Sequence, residues 1–110
     1  MADVIAVIEE YIENSDFNVA MLSSLLKLEK KQLYRKIKQI TGITPVELIR
    51  QIRMRKAAMI LSQKRFSVSE VMYMVGYTNP SYFSKCFLEE FKVLPSQYIT
   101  TKRKIANFLT

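Results

Sequence analysis

A basic and aromatic group recurs at helical spacing shortly after position 30. Lys31, Arg35 and Lys38 lie three or four positions apart, so on a helix of 100° per residue they share one side, with Tyr34 beside them. The opposite side is apolar and consists of Leu33, Ile37 and Ile40. Arg35 has the planar fork of donors that can bind a guanine edge in the major groove, and lysines can neutralise phosphates. The pattern is typical of a helix that contacts a polyanion, but an ordinary solvated basic face would look the same.

A second segment with smaller side chains has the same design fifty positions later. Its apolar back is formed by Phe83 and Phe87, whereas its polar front consists of Ser81, Ser84 and Lys85, with Tyr82 at the edge. Small hydroxyls and one base allow close approach to a polar surface. A plain exposed face, and half-buried packing of Tyr82, remain alternatives. Cys86 points toward the apolar side, and we expect it to be part of the core and not a reactive thiol.

The inventory of reactive side chains argues against catalysis. The 110 residues include no His and one Cys, which removes disulfide frameworks, His/Cys zinc clusters and His-dependent catalysis. There is no Gly-rich phosphate loop and no nucleophile with a base beside it, and we expect the carboxylates of Glu89 and Glu90 to be solvated or paired with bases. The sequence therefore predicts a protein that is not an enzyme and needs no cofactor or metal.

Composition favours a single domain with a polyanionic partner. An apolar content of 49% is enough for a core without disulfides or metals. No apolar run reaches the roughly 18 residues of a membrane span, and the N-terminus has acids where a signal peptide has bases, so we expect a soluble, cytoplasmic chain without a membrane partner. The net charge is +7, and the segment 27–56 holds ten basic residues against two acidic ones. The excess positive charge is therefore concentrated in the middle of the chain.

The spacing of apolar residues predicts an all-α fold. With two Gly and three Pro, and apolar residues recurring at three and four, the chain is expected to be helical nearly throughout. The first helix should end near 14–16, the second follows a cap at Asn18, and the third runs from about Glu29 to Thr41. The fourth begins with a Thr44 to Glu47 capping box and runs to about Ser62. Later helices are expected to begin at Ser67, Asn79 and Pro95.

The two halves of the chain repeat each other. At an offset of 49 five apolar or aromatic positions coincide: Phe17, Val19, Leu22, Leu26 and Leu28 with Phe66, Val68, Val71, Val75 and Tyr77. After a one-residue insertion the offset becomes 50, and Leu33, Ile37, Ile43, Pro45 and Ile49 fall on Phe83, Phe87, Val93, Pro95 and Ile99. Each copy is a short helix, a tight turn and a longer helix, which is the helix-turn-helix pattern.

The repeated segments resemble a known family. Residues 17–98 are similar to the DNA-binding domain of AraC/XylS-type transcription regulators, through RFSVSEVMYMVGYTNPSYFSKCFLEEFKVLPSQY in the second half and FNVAMLSSLLKLEKKQLYRKIKQITGITPVELIRQIRMRKAAMIL in the first. The QLYRKIKQITG segment and the preceding acidic helix look most like the C-terminal output domains of Bacteroides-type hybrid two-component sensors. The resemblance implies seven helices in one domain: a helix and first helix-turn-helix unit (1–43), a linker helix (44–63), and a second unit with a C-terminal helix (64–110).

The resemblance also implies a set of DNA contacts. Matched position by position, bases would be contacted in the first unit by Lys31, Tyr34 and Arg35, and in the second by Pro80, Ser81, Tyr82, Ser84 and Lys85. Because Pro80 has no side-chain donor or acceptor, its contact would be apolar or by shape. Phosphates would be bound by Asn18, Ser67 and Asn79 near helix starts, and by Lys36 and Lys38.

The sequence departs from the family pattern at four positions, and three of them lie in the second unit. Lys27 and Lys92 stand where the family usually has Gly, which costs on the order of 1 kcal/mol if the backbone there is left-handed. Leu94 replaces a Thr cap, at a cost of ~1 kcal/mol, and Met72 replaces a small Ala. The second unit is therefore expected to be locally looser than the family norm.

Sequence-specific binding of double-stranded DNA for transcriptional regulation is the leading hypothesis. The alternatives are a basic helical module that docks an acidic protein and a nonspecific nucleic-acid compactor. Duplication of the unit favours the first hypothesis, since a docking module has no need of it. RNA polymerase is a candidate further partner, and dimerisation would use regions outside this chain. Since the chain has no sensor domain, we expect either part of a longer regulator or a small stand-alone one.

Overall fold

The computed structural model describes residues 1–99, and this part of the chain is helical without strands. Its helices are α1 (Ala2–Glu10), α2 (Val19–Leu25), α3 (Lys30–Thr41), α4 (Pro45–Ser62), α5 (Val68–Met74) and α6 (Pro80–Phe91). A seventh helix, α7, begins at residue 95 and is helical through 99. The predicted all-α class and the seven helices are confirmed. None of the helices in residues 1–99 is long and apolar enough to cross a membrane.

Two hydrophobic cores meet on α4. The first is built from α1, α2, α3 and the start of α4, and its buried side chains are Val4, Ile8, Phe17, Leu22, Leu33, Ile37, Leu48 and Ile49. The second is built from the rest of α4 with α5 and α6, and its largest buried side chains are Phe83 and Phe87. Because α4 packs against α1, α3, α5 and α6, it holds the two cores in one structure.

The turn of each helix-turn-helix unit has the same hydrogen bonds. In the first, the Leu28 N–H donates to the Ser23 carbonyl at 3.0 Å, and in the second the Tyr77 N–H donates to the Met72 carbonyl at 3.0 Å. The residue before each donor has a positive φ, 57° at Lys27 and 86° at Gly76. These positions are 49 apart, so the sequence repeat corresponds to a structural repeat.

The ends of α3 and α6 are equivalent in the same way at an offset of 50. The C-terminal residues Gly42 and Lys92 are left-handed, with φ of 78° and 65°, and their N–H groups donate to the carbonyls of Lys38 and Leu88. In the following turns the Thr44 N–H donates to Glu47 Oε1 and the Leu94 N–H donates to Gln97 Oε1. Leu94 thus lacks the hydroxyl half of the capping box but keeps the other half.

Two expectations about element ends and faces are wrong. The first helix ends at Glu10 and not near residues 14–16. In the connection that follows, the carbonyls of Ile12 and Asn14 accept hydrogen bonds from the Arg53 side chain. Ile40 has the predicted position around α3, yet its side chain is 58% exposed. Ile40 lies in the last turn of α3.

Candidate nucleic-acid interface

The outer face of α3 brings together four predicted contact residues. Lys31, Tyr34, Arg35 and Lys38 are exposed and line one open depression with Gln39. Behind them Leu33 and Ile37 are fully buried, which fixes the rotation of the helix. Tyr34 is 48% exposed, so its ring can contact a ligand without a change in packing. Lys36 is also exposed. The face is therefore a donor-rich surface on a rigid support.

An unexpected carboxylate precedes this face. Glu29 is the N-cap of α3, and its side chain accepts from the Gln32 backbone N–H while the Gln32 side chain accepts from the Glu29 N–H. This is a capping box in which Glu replaces the usual Ser or Thr. Because a carboxylate occupies the N-cap and accepts from a first-turn N–H, the N-terminus of α3 is poorly suited to a phosphate.

The outer face of α6 is smaller and less charged. Pro80, Ser81, Tyr82 and Lys85 are exposed, whereas Ser84 is half-buried. Tyr82 is 50% exposed and is not core packing. Phe83 and Cys86 are buried behind this face, as predicted. Apart from Lys85, the face offers hydroxyls and apolar surface, so it can approach a polar groove closely but contributes little charge.

The three predicted phosphate ligands at helix starts are N-caps in the structure. Their side-chain oxygens accept from backbone N–H groups three residues on: Asn18 from Met21 at 2.9 Å, Ser67 from Glu70 at 3.1 Å and Asn79 from Tyr82 at 3.0 Å. The caps position α2, α5 and α6. Any phosphate contact from the asparagines would use the amide NH₂, because the oxygen is already engaged.

Arg53 belongs to the basic segment 27–56, but its role in the structure is to join parts of the fold. Its side chain is 5% exposed and donates to four carbonyls: Ile12 at 2.8 Å, Val75 at 2.6 Å, Asn14 at 3.1 Å and Phe17 at 3.5 Å. It therefore joins the connection after α1 to the turn of the second unit. Burial lowers the pKa of its guanidinium.

Gly76 is required by the path of the Arg53 side chain. A Cβ at Gly76 would overlap the Arg53 guanidinium and lie 2.5 Å from the Ile12 carbonyl oxygen. The Tyr77 ring lies beside the same guanidinium, with Arg53 Cζ 5.7 Å from the ring centroid. The sequence signal for this cluster is Gly76 itself. It stands 49 positions after Lys27, at the equivalent position of the turn, and in the first unit that position tolerates the Lys27 side chain.

The tyrosines around α6 form a second small cluster. Tyr77 lies 5.6 Å from Phe83 and 5.8 Å from Tyr82, measured between ring centroids. Burial raises the pKa of Tyr77, with a further contribution from Cys86. A hydrogen bond with Cys86 raises the pKa of Tyr82, while the nearby Arg50 guanidinium acts in the opposite direction.

Comparison with known proteins places the chain in a family. The model of a helix-turn-helix domain family matches residues 22–101. The chain is 32% identical to the C-terminal domain of AraT, a response regulator from Geobacillus stearothermophilus, with a TM-score of 0.84 over 91% of this chain and 83% of that one. It belongs to the AraC-type helix-turn-helix family of DNA-binding domains of transcription regulators.

Two curated relatives are much longer than this chain. Histidine kinase P4 of Formosa agariphila is 39% identical over 92 residues, which are 84% of this chain and 7% of the kinase. The transcriptional regulator MtrA of Neisseria gonorrhoeae is 30% identical over 83 residues, which are 76% of this chain and 28% of the regulator. The similarity is therefore to one domain within each larger protein.

Proposed function

We propose that this domain binds double-stranded DNA sequence-specifically to regulate transcription, with α3 and α6 entering successive major grooves. The observation that carries the proposal is the duplicated unit, because both turns and both C-terminal caps recur at offsets of 49 and 50. Each unit presents a longer helix whose back is buried and whose front is polar and exposed. This is the arrangement by which helix-turn-helix proteins contact bases.

The proposed roles follow from side-chain chemistry and exposure. Bases are contacted in the first unit by Lys31, Tyr34 and Arg35 and in the second by Pro80, Ser81, Tyr82, Ser84 and Lys85. Phosphates are bound by Asn18, Lys36, Lys38, Ser67 and Asn79. Residues 1–43 and 64–110 carry the two units, and residues 44–63 are the spacer.

The setting of the domain is also a proposal. The similarity to a histidine kinase and to a response regulator supports an output domain of a two-component system, as in hybrid sensors of the Bacteroides type. In such a protein, RNA polymerase would be a further partner, and dimerisation would involve regions outside this chain. Signal reception would then lie in those other regions.

The salt dependence of DNA binding tests the proposal. Each phosphate neutralised adds about −0.9 to the slope of log K against log salt, so several basic contacts should give a steep slope. Selection from a random DNA pool should enrich one motif, and fluorescence anisotropy of that duplex at graded salt should give the slope. A slope near zero at measurable affinity would favour the acidic protein partner instead. A steep slope without an enriched motif would indicate nonspecific compaction.

A further inference from the structure

A cleft lies between the two helix-turn-helix units, beside the start of α6. Its volume is about 310 Å³, and its walls come from the connection after α1, the first half of α4 and the turn before α6. The polar side chains around it include Ser15, Arg50, Arg53, Asn79 and Tyr82. Asn79 and Tyr82 belong to the end of α6 that carries proposed DNA contacts. The cleft therefore opens at the edge of the proposed α6 contact face, with which it shares Tyr82.

The charged side chains that line the cleft are basic. Two guanidinium groups line it, and no carboxylate does so among the residues that the structure describes. Arg53 is buried with only neutral carbonyls as acceptors, and its hydrogen bonds leave its charge uncompensated. A buried charge without an opposite partner is costly, and an anion in the cleft would offset that cost.

Arg50 is the group that can meet such an anion. Its side chain is half-buried at the cleft, close to the Tyr82 hydroxyl. Glu47 lies one turn earlier on the same helix, and the positive charge of Arg50 contributes to lowering the pKa of its carboxylate. Arg53 already donates hydrogen bonds to four carbonyls. It therefore contributes positive charge to the cleft but has few N–H groups left to bind an anion. The Asn79 amide NH₂ and the Tyr82 hydroxyl lie at the same cleft as additional donors.

We propose that this cleft binds one phosphate group, through Arg50 with Asn79 and Tyr82, and that the phosphate belongs to the DNA backbone between the two contacted grooves. The proposal rests on the proposed DNA-binding function. An Arg fork binds phosphate oxygens bidentately, and the buried Arg53 charge behind it strengthens the site. The location favours DNA over a free phosphate, because Asn79 and Tyr82, which line the cleft, also belong to the proposed DNA contacts of the second unit.

Paired substitutions on α4 test the site. Arg50→Gln removes the ligand, whereas Arg55→Gln is the matched control, since Arg55 lies at a different groove with Ile5, Glu9 and Met59. Arg50→Gln should reduce the magnitude of the salt slope by about 0.9 on both specific and random duplexes, and Arg55→Gln should leave it unchanged. Equal slopes for wild type and Arg50→Gln would overturn the proposal. If wild type itself shows no salt-dependent binding, the proposed function has failed, and not only this site.

Single methylphosphonate substitutions in the DNA identify the source of the phosphate without relying on a variant's folding. One neutralised position between the two sequence-sensitive blocks should weaken binding of wild type several-fold and have little further effect on Arg50→Gln. Inorganic phosphate titrated into the free protein, followed by NMR signals of Asn79 and Tyr82, tests the other source. Saturable shifts that Arg50→Gln abolishes, without any sensitive methylphosphonate position, would contradict the DNA assignment and show a site for free phosphate.

Discussion

The charged side chains of α3 differ in what they can contribute to recognition. Arg35 has a planar fork of donors that matches the two acceptors on a guanine edge, whereas Lys38 offers a flexible point charge suited to phosphates. Both are exposed on a helix whose opposite side is anchored by the fully buried Leu33 and Ile37. The fixed support means that the choice of side chain, and not movement of the helix, should decide which contact forms.

Arg35→Ala and Lys38→Ala should therefore have different effects. Loss of Arg35 should remove roughly 1–3 kcal/mol of discrimination at one base pair, since the bidentate contact is lost. Loss of Lys38 should weaken binding to specific and random DNA alike and reduce the magnitude of the salt slope by about 0.9. Affinities for the selected duplex and for single-base variants, measured by anisotropy, would separate the two. Identical profiles for both variants would mean that the assigned roles are wrong.

The helix caps show how far local sequence determines the elements. Thr44, Gly42 and Asn79 lie where capping and turn rules put them. The backbone is left-handed at Lys27 and Lys92, the two positions where the family usually has Gly. These features depend on residues within one turn, so sequence alone could predict them. Met72, expected to need room, is buried with 2% exposure.

The free-energy cost of a left-handed backbone can be measured at Lys92, the C-cap of α6. Its φ of 65° is the conformation that Gly tolerates and that L-residues adopt at a cost of about 1–2 kcal/mol. Lys92→Gly should raise the free energy of unfolding by about 1 kcal/mol. Lys92→Ala removes the same side chain, including the Nζ hydrogen bond to the Glu89 carbonyl, but keeps the strain, so it should not be stabilising. Urea denaturation of the two variants measures the difference; equal stabilities would show that the left-handed backbone carries no strain.

Contacts that join distant segments could not be predicted in this way. Arg53 donates to carbonyls up to 41 positions earlier and to Val75, 22 positions later, and backbone carbonyls leave no trace in the sequence. The same Arg53 side chain makes Gly76 necessary. The cleft at Arg50 was missed for a related reason, because its walls come from three separate segments.

The arrangement of the two units along α4 determines how the domain can meet a duplex. With 18 residues, α4 is about 27 Å long, and the structure extends 49 Å in its longest dimension. Successive major grooves on one side of DNA are about 34 Å, or ~10 bp, apart. Arg53 joins the connection after α1 to the turn of the second unit, so the units are held together by side-chain contacts as well as by α4. A single chain should therefore protect one asymmetric site with two short blocks about one turn apart.

Changing the distance between the two blocks is the most direct test of two-groove binding. Five base pairs inserted between them would place the second block on the opposite face of the duplex, which a rigid α4 cannot follow. We predict that the insertion reduces affinity to that of a single block, and that a ten-base-pair insertion does not restore it, since α4 has a fixed length. Unchanged affinity after the five-base-pair insertion would contradict the account and show that only one unit engages DNA.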